Sequence, residues 1–215
     1  MRGKFITFEG PEGSGKTTQL LLLQKYLKEN GVAVISTREP GGTETSEKLR
    51  NIILDSANLH ISDRTELLLI LSSRAQNTEE IILPALKEGK VVLCDRYSDS
   101  TLAYQSFGRG FDLDTVKEMC VFSSGGLKPD LTFLIDIDPA LGLDRAKLSA
   151  KIKTARGDHD RMESQGLAFH RKVREGFLKL ANAEPERFRV LDGKEPIEKI
   201  HSEIVKLTTE ILKVR

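Results

Sequence analysis

Short apolar runs alternate with longer amphipathic stretches along this chain. The apolar runs are KFITF (4–8), VAVIS (32–36), VVLC (91–94), LTFLID (131–136) and RFRVL (187–191). Each is almost continuously apolar or β-branched, which is typical of strands that are covered on both faces. Such strands, separated by helices, predict an α/β fold with a parallel sheet and crossover helices.

The stretches between these runs follow helical patterns. The predicted helices are 16–29, 63–87, 138–148, 163–181 and 196–213. The first ends at Asn30-Gly31, a common C-cap pair, and the second begins with Asp63 and Glu66 at capping-box spacing. Pro84 is expected to kink the end of that second helix. Asp138-Pro139 form an N-cap and a first helical residue for the third.

Composition and charge narrow the class of protein. The 215 residues, with 39% hydrophobic and 30% charged residues, fit one globular domain spanning 1–215. A formal net charge of +1 gives no general attraction to nucleic acid or to a membrane. Two cysteines without a Cys-x-x-Cys pair give no disulfide framework or metal motif, and no apolar stretch reaches membrane-spanning length. We therefore expect a cytoplasmic protein.

A glycine-rich motif follows the first predicted strand and opens the first predicted helix. It fits the pattern G-x-x-x-x-G-K-[ST], and this strand–loop–helix context is what makes the pattern specific for nucleoside triphosphates. The predicted ATP-binding residues are Gly10, Pro11, Glu12, Gly13, Ser14, Gly15, Lys16, Thr17 and Thr18. Glycines let backbone N–H groups approach phosphates closely, and the helix N-terminus adds partial positive charge.

The side chains around this loop suggest its chemistry. Lys16 is expected to reach the β- and γ-phosphates, and the Thr17 hydroxyl to bind Mg²⁺. Asp95, at the end of the strand 91–94, is the natural second partner for Mg²⁺. Glu9 directly precedes the loop and is expected on the metal or acceptor side. The loop predicts triphosphate binding but does not identify the reaction.

Three classes of protein use such a loop: GTPase switches, ATP-driven motors and kinases of small molecules. The chain has neither the D-x-x-G nor the N-K-x-D motif typical of GTPases. It does have Arg38 and Arg96 just beyond predicted strands, where open α/β sheets bind ligands, and Arg74 inside an apolar helix. Three converging arginines would hold a monophosphate by bidentate hydrogen bonds, which favours a kinase.

Several motifs together resemble one family. FEGPEGSGKTTQ, TREPGGT, DRYSDSTLAYQ and ARGDHDRME, in this order and over nearly the whole chain, resemble bacterial thymidylate kinases. The resemblance implies transfer of the γ-phosphoryl group of ATP to dTMP. It also implies the P-loop nucleoside monophosphate kinase fold, with a five-stranded parallel sheet flanked by helices, a mobile lid at about 147–161, and a homodimer.

The resemblance also assigns residues to the acceptor site. Arg38, Arg74 and Arg96 would hold the dTMP phosphate, with Arg96 also acting in catalysis. The other substrate-binding residues implied are Glu9, Pro40, Ile70, Tyr97, Ser100, Thr101, Tyr104 and Gln105.

A catalytic arginine is expected in the lid. Members of the family carry it either in the variable positions of the P-loop or in the lid. The variable positions here are Pro11, Glu12, Gly13 and Ser14, so ARGDHDR indicates the lid type and makes Arg156 the catalytic candidate beside Lys16. Such an arginine contributes ~10³–10⁵ in rate by neutralising charge on the transferring phosphoryl group.

One position departs from the family pattern. Four residues before Arg74 the family usually carries phenylalanine, which stacks on thymine, and this chain has Ile70. Loss of an aromatic stacking contribution of ~0.5–1.5 kcal/mol keeps open a kinase of another pyrimidine monophosphate, such as dUMP or UMP. A nucleotide-dependent switch without phosphoryl transfer is the second alternative.

Overall fold

Five parallel strands form the centre of the protein in the computed structural model, which describes residues 2–55, 58, 60–153 and 165–212, with 149–153 as backbone only. The strands are β1 Phe5–Glu9, β2 Val34–Arg38, β3 Val91–Asp95, β4 Leu131–Asp136 and β5 Phe188–Asp192. Their order in the sheet is β2-β3-β1-β4-β5. The predicted α/β fold with a five-stranded parallel sheet is confirmed.

Burial along the strands follows their place in the sheet. All five residues of β1, at the centre, are buried, whereas exposed and partly exposed positions interrupt the edge strands β2 and β5. A central strand is covered by helices on both faces, so both sets of alternating side chains must be apolar. In β1, Ile6 and Phe8 therefore pack on one face of the sheet and Phe5 on the other.

Helices cover both faces. They are α1 Lys16–Glu29, α2 Glu44–Leu54, α3 Asp63–Asn77, α4 Leu83–Lys87, α5 Ser98–Thr101, α6 Leu113–Ser123, α7 Pro139–Lys153, α8 Leu167–Ala183 and α9 Ile197–Leu212. One core joins the sheet to α1 and α9, and the cores on the other side involve α3, α4, α6 and α8. None of the described helices combines the length and apolar character that crossing a bilayer requires.

Two π-helical stretches modify the predicted pattern. Thr78–Ile82 joins α3 to α4, so the helix continues past the expected kink, and Pro84 lies in the first turn of α4. A proline lacks the N–H that an α-helical bond would need, and the wider turn before it accommodates that loss. The second stretch, Leu102–Gly108, continues α5. We call residues 98–108 the helical wall.

The sequence pattern missed three helical elements and misplaced several boundaries, among them the start of α8, predicted at 163 and observed at Leu167. Helix α2, the helical wall and α6 lie where no helix was predicted. Helix α7 continues to Lys153, beyond the predicted end at Leu148, so the first part of the expected lid is helical. The remainder of that lid, residues 154–161, lies outside the described residues.

Candidate active site

The glycine-rich loop connects the end of β1 to the start of α1, as predicted. Gly13 has φ +64°, and a Cβ atom there would lie 2.0 Å from the carbonyl oxygen of Gly142. Only glycine tolerates both this left-handed backbone and this close approach of α7. Because no side chain is present at Gly13, the loop can curve so that its backbone N–H groups surround a phosphate.

Lys16 is folded back over the loop. Its Nζ donates hydrogen bonds to the carbonyl oxygens of Gly10 at 3.0 Å and Pro11 at 2.8 Å, and to Ser14 Oγ at 3.3 Å. Burial, together with the positive charge of Arg96, lowers the pKa of Lys16 to about 8. The ammonium group is thus held at the position where a phosphate oxygen would replace these neutral acceptors with a charged one.

Glu12 connects the loop to the helical wall. Its Oε1 accepts hydrogen bonds from Arg96 Nη2 at 2.9 Å and from the hydroxyl of Tyr104 at 2.8 Å. Although burial favours its protonated form, Arg96 and Lys16 lower the pKa of Glu12 to about 2. Glu12 is therefore an anion between two cations at neutral pH.

Arg96 lies where the loop and the helical wall meet. Its Nη1 donates to the carbonyl oxygen of Gly10 and to Ser100 Oγ, both at 3.2 Å, and its guanidinium lies 5.1 Å from the ring centroid of Tyr104. The backbone of Arg96 has φ +68°, a left-handed conformation that is uncommon outside glycine. Strained residues of this kind concentrate at functional sites.

Two side chains with oxygen atoms that could bind a metal ion, Thr17 and Asp95, lie together at the start of α1. The hydroxyl of Thr17 donates a hydrogen bond to Asp95 Oδ2 at the end of β3. Hydroxyl and carboxylate oxygens are the ligands that Mg²⁺ prefers. The pair fits the predicted Mg²⁺ site in donor chemistry and in position beside the loop.

Arg74 is almost fully buried in an ion pair. Its Nε donates to Glu39 Oε2 at 2.8 Å, and the two side chains are 1% and 2% exposed. Its other nitrogens donate to Thr101 Oγ1 at 2.8 Å and Cys120 Sγ at 3.5 Å. Each nitrogen of Arg74 has a protein acceptor, and these bonds use three of the five N–H groups of the guanidinium. Its role at the acceptor phosphate stays a prediction.

Arg38 lies nearer the surface, as the last residue of β2. Its Nη2 donates to Glu47 Oε2 at 2.9 Å, and about half of its side chain is exposed. The following peptide bond, Glu39-Pro40, is cis, and Arg50 Nη1 donates to the Pro40 carbonyl at 2.8 Å. Helix α2 thus holds the loop after β2 at the edge of the site.

A cavity of about 960 Å³ extends from the glycine-rich loop to the helical wall. Of the predicted site residues within the described ranges, all but Glu9, Gly10 and Pro11 line it. It lies beyond the carboxyl ends of β1, β2 and β3, where open α/β sheets bind ligands. The tertiary structure thus brings together the phosphate loop, the metal-ligand pair and the candidate acceptor residues.

Comparison with known proteins identifies the family. The family model described as thymidylate kinase matches residues 8–204. This chain belongs to the thymidylate kinase family.

Curated relatives and a solved structure agree with this assignment. The chain is 52% identical to a thymidylate kinase of Pelobacter propionicus, over 94% of this chain and 92% of that one. It is 51% identical to a thymidylate kinase of Deinococcus radiodurans, over 94% and 95% of the two chains. The crystal structure of thymidylate kinase from Ehrlichia chaffeensis matches with a TM-score of 0.76 and 35% identity, covering 97% of this chain and 99% of that one.

The family assignment bears on the alternatives left open by the sequence. The relatives are named for thymidylate, and none of these comparisons supports a kinase of dUMP or UMP. Ile70, which replaces the usual phenylalanine of thymidylate kinases, is partly buried on α3 and lines the cavity beside Arg74. An apolar surface for the base is therefore retained at this position.

Glu9 differs from its predicted role. It is completely buried, and its carboxyl group accepts hydrogen bonds from the backbone N–H groups of Tyr97 at 2.7 Å and Ser100 at 3.4 Å, and from the Ser100 hydroxyl. Burial, followed by the negative charge of Asp99, raises the pKa of Glu9 to about 8. Glu9 supports the start of the helical wall from behind rather than facing a substrate.

Arg156 lies outside the described residues, so its predicted position has no structural description here. The other residues predicted for the thymidylate kinase site are all described. They form two groups: one group surrounds the phosphate loop. The other group consists of Arg96, Tyr97, Ser100 and Tyr104, at the start of the helical wall and directly before it.

Sequence reasoning missed several parts of the cavity. Helix α2 contributes Arg50 and Ile53, and the loop after β5 contributes residues 193–196. Helices α7 and α9 add Arg145, Ala146, Ile197 and Ile200. The capping residue Thr43 before an amphipathic stretch was the available signal for α2. The second loop follows a predicted strand, at the sheet edge where ligands bind, so its position was also a usable signal.

Proposed function

We propose that this protein transfers the γ-phosphoryl group of ATP to dTMP, giving dTDP. The observation that carries the proposal is the position of Arg96, which bonds at once to the Gly10 carbonyl of the phosphate loop and to Ser100 of the helical wall. A cation at this junction lies between a donor held by the loop and an acceptor held by the wall.

The donor side is built from the loop and the start of α1. Backbone N–H groups and Lys16 would bind the phosphates of ATP, with Lys16 exchanging its carbonyl acceptors for phosphate oxygens. Thr17 and Asp95 would hold Mg²⁺, which supplies neutralisation of the phosphate charge when bound. Arg156 is proposed to add a second cation at the transferring group.

The acceptor side is built from the helical wall, α3 and the loop after β2. Arg96 and Arg38 are proposed to bind the dTMP phosphate. Arg74 is proposed to form the inner boundary of the nucleoside pocket, because the ion pair with Glu39 holds its guanidinium in place. Ile70 supplies apolar contact for the base. Tyr104 lies against Arg96 and Glu12, next to the position where the sugar would connect base and phosphate.

The reaction needs no enzyme nucleophile or general base. The acceptor phosphate already carries the attacking oxygen, so catalysis comes from alignment of donor and acceptor and from charge stabilisation. Lys16 and Arg96 provide fixed positive charge at the two ends of the transfer. Enclosure of both substrates would keep water from competing as the acceptor.

A coupled assay with ATP and each of dTMP, dUMP, UMP, CMP and AMP tests the proposal. We expect the highest kcat/KM with dTMP, and a fall of ~10²-fold or more in kcat for Lys16→Met, because the variant loses a charged phosphate ligand. Lys28→Met, at the exposed end of the same helix, is the control and should behave like the wild type. Arg156→Ala should lower kcat by ~10³-fold or more.

The outcomes are separable. A higher kcat/KM with another monophosphate would identify that monophosphate, rather than dTMP, as the acceptor. ATP hydrolysis that does not depend on any acceptor would overturn the kinase proposal. Near-normal turnover by Arg156→Ala would remove that residue from the catalytic set.

We also propose that the protein is a cytoplasmic homodimer, as the family resemblance implies. Helix α3 packs against both α2 and α6, and all three carry exposed large apolar side chains. These are Ile52, Leu68, Val121 and Phe122, of which Phe122 is 89% exposed. Burying such residues against a second copy would remove a large apolar area from water.

A further inference from the structure

The helical wall begins at a backbone conformation that has to be held from outside. Arg96, directly before the wall, has φ +68°, which a side chain with a Cβ atom adopts only under constraint. Its own N–H donates to the Phe8 carbonyl at 2.9 Å, which fixes the residue to β1 but not the direction in which the helix leaves. The wall carries Ser100, Thr101 and Tyr104 into the cavity, so this direction sets the acceptor site.

One constraint on the wall comes from β1. Glu9 accepts the N–H of Tyr97 at 2.7 Å, and it shares the N–H of Ser100 with the Tyr97 carbonyl oxygen. Its carboxyl group thus caps the first turn of the helix. This contact holds the start of the helix. Further along the wall, Ser100 bonds to Arg96, Thr101 to Arg74 and Tyr104 to Glu12. These bonds lie at the cavity, so they do not hold the wall independently of what the cavity binds.

A second constraint comes from a residue remote from the cavity. Arg187, just before β5, binds Asp99 of the wall through two parallel hydrogen bonds, Nη1 to Oδ2 at 2.7 Å and Nη2 to Oδ1 at 2.9 Å. The Asp99 and Arg187 side chains are 4% and 12% exposed, and neither residue lines the cavity. Paired bonds of this kind fix orientation as well as distance.

Arg187 is itself held rigidly. Its Nη1 also donates to Thr132 Oγ1 at 2.7 Å, and its Nη2 and Nε donate to the carboxylate of Glu184 at 3.0 and 3.2 Å. Thr132 belongs to β4 and in turn bonds to Thr7 of β1 at 2.8 Å. The wall is therefore tied through Arg187 to the same central strands that carry the phosphate loop.

We propose that Arg187 is a positioning residue for the acceptor site, acting through Asp99 to fix the orientation of the helical wall relative to the phosphate loop. The inference rests on the proposed function, because it assigns the wall to the phosphate acceptor. Arg187 contacts neither substrate in this proposal. Its loss changes the placement of Arg96, Ser100 and Tyr104 while the loop and Lys16 stay in place.

Steady-state kinetics of Arg187→Met test this. We expect KM for dTMP to rise by roughly tenfold or more, because small displacements of positioning groups cost large factors, whereas KM for ATP should stay within about twofold. Arg187→Lys keeps the charge and should recover part of the loss. The matched control is Arg174→Met, which removes another paired arginine–aspartate contact, to Asp136 at 2.7 and 2.7 Å, outside both the wall and the cavity lining.

A mutant cycle separates positioning from a general loss of stability. Asp99→Asn should raise KM for dTMP as Arg187→Met does. The double variant should raise this KM by a smaller factor than the product of the two single factors. Unchanged KM for dTMP in both single variants, equal increases in both substrates' KM values, or the same increase in Arg174→Met would overturn the proposal. If Arg187→Met fails to fold, the comparison of Asp99→Asn and Arg187→Lys with the wild type decides it.

The test also distinguishes the two proposals. Absence of dTMP phosphorylation by the wild type would overturn the proposed function. The KM values of the Arg187 and Asp99 variants would then be compared for the monophosphate that the wild type does phosphorylate. A wild type active on dTMP, with variants that leave its KM unchanged, would overturn the role of Arg187 alone.

Discussion

Two glutamates three residues apart, Glu9 and Glu12, have opposite electrostatic environments. Glu9 is enclosed beside Asp99, and its pKa rises to about 8, whereas Arg96 and Lys16 lower the pKa of Glu12 to about 2 despite its burial. In the sequence the two differ only in standing before or within the glycine-rich motif. Their protonation at neutral pH is decided by burial and by charged neighbours, of which Asp99 and Arg96 are distant in the chain.

The raised pKa of Glu9 predicts a pH dependence of stability. Between pH 4.5 and about 8 the folded protein holds a proton on Glu9 that the unfolded chain releases, so the free energy of unfolding falls as pH rises through this interval. The summed loss is on the order of 5 kcal/mol. Glu9→Gln keeps a neutral group at this position, and urea unfolding at pH 5, 6.5 and 8 should show a flatter dependence for the variant. An equal slope in both proteins would contradict this.

At the scale of elements, predictability followed the strength of the local pattern. The five strands and helix α1 were predicted because continuous apolar runs and the glycine-rich motif are local signals. The helical wall was missed because it is short in its α-helical part and continues as a π-helix, which gives no 3.6-residue period. Helix α2 was missed although Thr43 caps it, since a single cap before a charged segment is a weak signal.

The caps of α2 and α6 offer a matched test of how elements form the site. The Thr43 hydroxyl oxygen accepts from the N–H of Ser46 at 3.1 Å, and the Asp112 carboxylate accepts from the N–H of Thr115 at 2.8 Å. Replacing either by alanine should lower the free energy of unfolding by about 1 kcal/mol. Only Thr43→Ala should also raise KM for dTMP, because α2 carries Arg50 and Ile53 at the cavity, whereas no described residue of α6 lines it. Equal kinetic effects would contradict this distinction.

For the whole molecule, the sheet order explains how separate segments form one site. Strand β1 lies at the centre between β3 and β4, so the loop after it lies beside the segments that follow β3 and β2. Helices α2, α3 and α6 leave the exposed apolar side chains that we propose to be covered in a homodimer.

The dimer proposal predicts a measurable assembly. Sedimentation equilibrium should give twice the mass of the chain, and Phe122→Asp should shift the equilibrium toward the monomer, because a charge in a buried interface is costly. Leu148→Asp replaces another exposed leucine, outside α2, α3 and α6, and should leave the mass unchanged. A monomeric wild type, or an unaffected Phe122→Asp, would contradict the proposed interface.

The sheet and the phosphate loop follow from the sequence alone, because buried strands and the glycine-rich motif depend on residues that are neighbours in the chain. The sequence also identifies most of the residues that line the cavity. Three contacts are visible only in the folded protein: Glu39 holds Arg74, Glu9 supports the wall from behind, and Arg187 reaches Asp99 across 88 positions. These contacts join distant segments, and burial then sets the charge and hydrogen bonding of each group in a way that no local pattern records.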